Sequence, residues 1–256
     1  MENLFRLDGK VAVVIGGGGG IGRYLTEGLV QYGAKVAIAS RGLDKLGKIA
    51  EEISSKYNAD VTAFHVDVTD EKSVSQLKDQ VVAKYGTVDI LVNSQGFNAK
   101  SPATDFPTQD WNMLFDINVK GTMLACREFG KVMIDKRKGK IINISSVRGI
   151  RATKWAGNMG YCTTKAAVDM ITKSLAAEWA PYNVNVNAIA PAWVDTGFSP
   201  SLRDPSKLKT ALDSIPMGRI ATPTDVIGVC IFLASPASDY ITGQVIYVDG
   251  GLTVIG

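Results

Sequence analysis

Short, β-branched apolar runs alternate with amphipathic stretches along this chain. Val11-Ala12-Val13-Val14-Ile15 is apolar at every position, the pattern of a strand covered on both faces rather than on one. Comparable runs lie at 36–39, 61–66, 88–92, 140–144, 184–189 and 245–248. Between them the apolar residues fall three and four apart. Ile21, Leu25, Leu29 and Val30 form one such stripe, and Leu43, Leu46, Ile49, Ala50 and Ile53 another. That spacing gathers them on one face of a helix. The pattern predicts helices over 21–32, 43–57, 71–85, two stretches within 108–137, 159–180 and 224–234. Gly33, Gly86 and Pro181 end three of them. Strand and helix therefore alternate. This predicts an α/β fold with seven strands in one parallel sheet, right-handed crossovers and helices on both faces. No repeat or linker interrupts residues 1–256, so one domain is expected. The polar stretch 195–216 is long enough to act as a substrate flap.

Composition narrows the chemistry. The 256 residues are 46% apolar and 21% charged, enough for a two-faced core. A net charge of +3 is too small to argue for nucleic acid or a membrane surface as a partner. Cys126, Cys162 and Cys230 are odd in number and far apart. They give no disulfide framework and no metal knuckle, and they fit a reducing, cytoplasmic setting. His65 is the single histidine, which excludes multi-histidine metal sites and makes a Ser-His-Asp hydrolase hard to build. Within Phe64-His65-Val66 it reads as a strand residue. No apolar run reaches membrane-spanning length, and the first residues lack a charged-then-apolar leader.

The five glycines Gly16 to Gly20, followed by Ile21 and Gly22, separate the first strand from the first helix. Glycines there let the backbone approach a pyrophosphate, while the helix start aims free N–H groups and a positive dipole end at the anion. Strand, glycine turn and helix in this order mark a dinucleotide site.

The spacing Gly16-x-x-x-Gly20-Ile21-Gly22 resembles the glycine signature of the short-chain dehydrogenase/reductase family. Further segments resemble that family's signatures in the same order. They are Asn93-Ser94-Gln95-Gly96, Asn118-Val119-Lys120-Gly121, Asn143-Ile144-Ser145-Ser146, Tyr161-Cys162-Thr163-Thr164-Lys165 and Pro191-Ala192-Trp193-Val194-Asp195-Thr196. Ile241-Thr242-Gly243-Gln244, with Val248-Asp249-Gly250-Gly251 behind it, is the last. The resemblance spans nearly the whole chain and implies a single-domain Rossmann fold. Ile15 stands where the family has Thr, Gln95 is larger than its usual counterpart, and Ala192 replaces a glycine. Ser146 lies 15 residues before Tyr161, a spacing that implies a two-residue insertion at the active-site rim, so that either Ser146 or Ser145 can face the substrate.

Tyr161 and Lys165 are four apart on a predicted helix and share a face. A free tyrosine ionises near pH 10, and an ammonium beside it lowers that value, so Tyr161 can take or give an alcohol proton. The Ser146 hydroxyl can hold the reacting oxygen. The resemblance gives Asn118 a water that links Lys165 to solvent, and sets Lys165 on the cofactor's ribose. It also implies cofactor contacts from Gly16, Gly18, Gly19, Gly20, Ile21, Gly22, Asn93, Gly96, Tyr161, Pro191, Val194 and Thr196, and adenine contacts from Asp67 and Val68. Asp67 can equally cap the next helix.

At the end of the second strand stand Ser40 and Arg41, with no carboxylate. An acidic residue there reads a ribose 2′-hydroxyl, whereas Arg pairs with a 2′-phosphate. The expected cofactor is therefore NADP(H) in preference to NAD(H). Gly96-x-Asn98-x-Lys100-x-Pro102-x-x-x-Phe106 resembles the gluconate 5-dehydrogenase-like branch, which implies sugar acids or polyols. Arg148, Arg151, Lys154, Trp155 and Asn158 on the rim, with Gln95, Asn98 and Trp193, suit a small polar or anionic substrate. Reduction of a 3-oxoacyl group on acyl carrier protein is the competing reading, and a non-enzymatic cofactor sensor a remote one. The resemblance also implies a homotetramer, or a dimer, through the helices at 108–137 and 159–180. No metal is called for.

Overall fold

The run Val11–Ile15, apolar at every position, is a strand buried throughout. The computed structural model describes residues 3–152, 157–197 and 202–255. The rim residues Lys154 and Trp155 lie outside them. Strands β1 (Val11–Ile15), β2 (Lys35–Ser40), β3 (Val61–His65), β4 (Ile90–Asn93), β5 (Gly139–Ile144), β6 (Val184–Pro191) and β7 (Val245–Val248) form one sheet. Its order is β3-β2-β1-β4-β5-β6-β7, and every pairing is parallel. The chain builds outward from β1 to β3, then returns to the other side of β1 with β4. The carboxyl ends of β1 and β4 therefore diverge, the place where sheets of this kind open a ligand crevice.

Alternate strand residues feed two cores. Val14 and Ile38 pack under α1 (Gly20–Gln31), α2 (Leu43–Tyr57) and α8 (Pro223–Ala234), which supply Leu25, Leu29, Leu46, Ile53 and Ile231. Val13, Ile15 and Leu91 face the other side. There α3 (Glu71–Tyr85), α5 (Gly121–Asp135) and α6 (Met159–Trp179) supply Leu77, Phe129 and Trp179. The helical stripes read from the sequence are these faces, except that Leu43 at the start of α2 is exposed.

Three details differ from expectation. Strand β4 starts at Ile90. Asp89 before it accepts the Val11 N–H at 2.9 Å and the Lys136 ammonium at 2.9 Å, tying the base of β1 to β4. The helical region at 108–137 is α4 (Thr108–Leu114), a π-helical stretch Phe115–Lys120 and α5 in succession. The polar 195–216 stretch contains a helix, α7 (Pro205–Ser214). Asp204 caps it by accepting the Ser206 and Lys207 N–H groups at 3.0 and 3.4 Å, and Pro205 occupies its first turn. The Asp-Pro pair is a readable start signal, obscured by the segment's polarity. Among the described residues no helix is long and apolar enough to cross a membrane.

Candidate active site

The glycine turn brings two loops into contact. Gly16 has φ +82°, and a Cβ there would lie 2.8 Å from the backbone of Ser94 and Gln95 beyond β4. A Cβ on Gly22 would lie 2.3 Å from the Gly16 carbonyl oxygen. Gly18 leaves room for Leu46 of α2, whereas Gly19 and Gly20 face open space. Helix α1 begins there with no side-chain cap and no acidic residue in its first turn, so its free N–H groups remain available to an anion. This cradle fits a pyrophosphate. It lies in a cleft of about 610 Å³, which also reaches Ile21, Ser40, Arg41, Asp67, Val68, Gly96 and Pro191.

Beside Ser40 at one end of that cleft, His65 is its register partner and is exposed. The Asp67 carboxyl is held below its ordinary value. The chief causes are the Thr69 N–H and hydroxyl, at 2.9 and 2.7 Å, with Arg41 and His65 adding smaller effects. Asp67 does not cap α3. Asp70 does, accepting from the Lys72 and Ser73 N–H groups, because Asp67 is already folded into a turn on Thr69.

A second cavity of about 600 Å³ opens beside the first, and Asn98, Ser146, Tyr161 and Ala192 line both. Ser146 lies buried two residues beyond the end of β5. Its hydroxyl accepts the Arg148 N–H at 3.2 Å and hydrogen-bonds Tyr161. Ser145 instead donates to the Lys165 carbonyl at 3.3 Å. Burial pushes the Tyr161 hydroxyl up, and the Ser146 bond opposes that. Lys165 is 4% exposed. Its ammonium donates to the Ile144 carbonyl at 2.8 Å and stands 5.6 Å from the Tyr161 ring centre. Burial pulls Lys165 down to about 8, against the charge of Asp169.

Asn118 sits in the π-helical stretch, 1% exposed. Its amide donates to the Phe97 carbonyl at 2.9 Å and to the Thr164 hydroxyl at 3.1 Å, and its oxygen accepts the Phe97 N–H at 2.8 Å. It clamps the loop after β4 to α6, so its side-chain donors are already used.

Arg148 and Trp193 line the second cavity, with the guanidinium 5.6 Å from the indole. Gln95 lines only the first, because its amide donates to Thr122 at 3.2 Å. Gly18, Gly22, Asn93, Val194 and Thr196 line neither. Asn93 is 2% exposed and donates to Asn143 at 2.9 Å within the sheet. Val194 is bridged to Ala221. Lys207 and Thr210 of α7 join the second cavity and escape a reading of the sequence, as does Asp169. For Asp169 a signal exists, since it continues the four-residue spacing of Tyr161 and Lys165.

A family model described as enoyl-(acyl carrier protein) reductase matches residues 16–253. The 3-oxoacyl-[acyl-carrier-protein] reductase FabG of Thermotoga maritima is 38% identical, over 97% of this chain and 100% of that one. The chain belongs to the short-chain dehydrogenase/reductase family. Its fold is the Rossmann-like fold of that family, and it is an oxidoreductase that acts between CH–OH and carbonyl groups with a nicotinamide cofactor. Galactitol 2-dehydrogenase (L-tagatose-forming) of Cereibacter sphaeroides is 36% identical over 99% of this chain and 98% of its own. The solved structure of a gluconate 5-dehydrogenase from Burkholderia cenocepacia, in complex with NADP and tartrate, has a TM-score of 0.95. It is 34% identical, and the match covers 99% of both chains.

Proposed function

We propose that this oxidoreductase interconverts a secondary alcohol and a ketone on a sugar acid or polyol, with NADP(H) in preference to NAD(H). One observation carries the substrate class. The second cavity is lined by the cations Lys100, Arg148 and Lys207 and, among its described residues, by no carboxylate. Such a lining favours a small polar anion over a neutral lipid-like ketone. The tartrate in the Burkholderia relative is a hydroxy acid of that kind.

When bound, the nicotinamide supplies or takes a hydride. The chain's residues do the rest. Gly19, Gly20 and the start of α1 hold the pyrophosphate, and Arg41 and Ser40 meet the 2′-phosphate. Ser146 donates a hydrogen bond to the substrate oxygen. Tyr161 gives that oxygen a proton in reduction and takes it back in oxidation. Lys165 offsets the charge left on the phenolate, which burial alone makes costly. Asn118 holds the loop and helix in register. Helix α7, within the 195–216 flap, closes over the second cavity. The exposed Met113, Met123 and Met170 on α4, α5 and α6 support a homotetramer or dimer, which light scattering tests; a monomer at micromolar concentration refutes it.

Reduction of 3-oxoacyl groups on acyl carrier protein is the second reading, favoured by the 38% identity to FabG. The same rim cations would then meet an acidic carrier. A screen with NADPH separates the two. The proposal expects turnover of 5-ketogluconate or ketoses, and robust turnover of acetoacetyl thioesters with none of the sugar acids transfers the assignment.

A further inference from the structure

The helix that carries Tyr161 and Lys165 buries an ammonium that touches no carboxylate among the described residues. Tyr161, Lys165 and Asp169 stand four residues apart on α6, one above another. Among the described residues the Lys165 ammonium forms no ion pair within 4 Å; it donates to the neutral Ile144 carbonyl. An ammonium removed from water without a counter-charge is costly and tends to lose its proton. Asp169 is the carboxylate whose charge reaches it.

Asp169 is itself 8% exposed. One of its oxygens, Oδ1, is buried with no hydrogen-bond partner. The other is pressed against Gly149, where a Cβ would lie 2.3 Å from Oδ2. The Ser145 hydroxyl, whose proton goes to the Lys165 carbonyl, and Lys173 one turn further on α6 both favour the ionised carboxylate, against its burial. From β7, the Tyr247 hydroxyl feels its charge. A buried carboxylate with an orphaned oxygen is an expense that an apolar residue of similar size avoids, so its presence calls for a reason.

We propose that Asp169 is a positioning residue: it is the buried counter-charge that keeps Lys165 an ammonium, and so keeps Tyr161 able to exchange its proton. This rests on the reading of Tyr161 and Lys165 given above. The direction follows from Coulomb's law. Removing the anion weakens proton binding at Lys165, and a neutral lysine no longer holds a phenolate beside it. Gly149 belongs to the same device, because only glycine leaves room for Asp169 to lie against the loop after β5.

The test reads Lys165 without turnover. In protein labelled with ε-¹³C lysine, the resonance lost in Lys165→Arg identifies Lys165, and its pH midpoint is followed by NMR. In Asp169→Asn the midpoint is expected to fall by about one pH unit, a roughly tenfold weaker hold on the proton. The alkaline limb of kcat/KM should move to lower pH by the same amount. Ser145→Ala, which removes a polar group that favours the carboxylate and little volume, should move both in the same direction by less. An unchanged midpoint in folded Asp169→Asn overturns the proposal, and if that variant does not fold, an unchanged midpoint in Ser145→Ala does so. A midpoint that falls while the activity profile stays still refutes the catalytic reading of Lys165 and leaves the counter-charge standing.

Discussion

The cleft under the glycine turn and the cavity beside Arg148 meet at Ser146 and Tyr161, yet they are made of different material. The first is largely backbone. Its floor is the turn from β1, its wall the loop after β4, and its anion site the uncapped start of α1. The second is largely side chains, drawn from segments as far apart in sequence as Asn98, Arg148, Trp193 and Lys207. A backbone site depends on spacing and on what cannot be added. A side-chain site depends on which groups happen to converge. Proteins of one family can therefore share the first while differing in the second, which is how relatives named for acyl carrier protein and for galactitol resemble this chain about equally.

The contrast can be broken at several points. Ser146 belongs to both regions, so its loss should be more damaging than a change confined to either one. Ser146→Ala is expected to lower kcat by about a hundredfold to a thousandfold, read in steady-state assays with KM changing little. Next comes the backbone side. Gly16→Ala places a Cβ 2.8 Å from the Ser94 and Gln95 backbone at φ +82°, and neither neighbour can yield cheaply. Thermal denaturation should show a loss of about 1–3 kcal/mol, with weaker cofactor binding by calorimetry. A variant as stable as the parent contradicts the close contact.

On the side-chain side, Arg148→Ala should leave stability nearly unchanged. It should raise KM for an aldonate about tenfold to a hundredfold, the worth of one charge-assisted bond, while moving KM for the matching neutral polyol far less. Equal effects on both substrates remove the carboxylate reading. The smallest change expected is in cofactor choice. Arg41→Asp should shift the ratio of kcat/KM for NADPH over NADH by about tenfold toward NADH, and a parent enzyme that already prefers NADH sinks the 2′-phosphate assignment.

The same contrast explains what is legible in the sequence. The succession of strands and helices, the sheet covered on both faces and the phosphate turn follow from local pattern, because β-branched runs, helical stripes and Gly16 to Gly22 each state their own geometry, whereas the order of strands in the sheet needs the fold. Asn93 shows the limit of motif reading. It stands in a cofactor-associated segment, yet its side chain is spent inside the sheet on Asn143. Gln95 reads from its position as a substrate contact and is turned instead toward Thr122, a residue 27 positions away that no local rule connects to it. The π-helical stretch at Phe115–Lys120 has no signature in the apolar period. Helix α7 does announce itself through Asp204 and Pro205, but its few apolar positions hide it. Asp169 can be placed beside Lys165 by spacing alone, whereas its burial against Gly149 needs the fold.

The central claim is that chemistry happens where the two regions touch, through the Tyr161 hydroxyl. It is tested most directly by NADPH oxidation with a panel of keto sugar acids, ketoses and acetoacetyl thioesters, in the parent and in Tyr161→Phe. The account predicts turnover of at least one keto sugar acid or ketose by the parent. It also predicts a loss in Tyr161→Phe of about a hundredfold to ten-thousandfold in kcat, with the cofactor bound as tightly as before. Equal rates in the two proteins, or equal inertness across the whole panel, would contradict it.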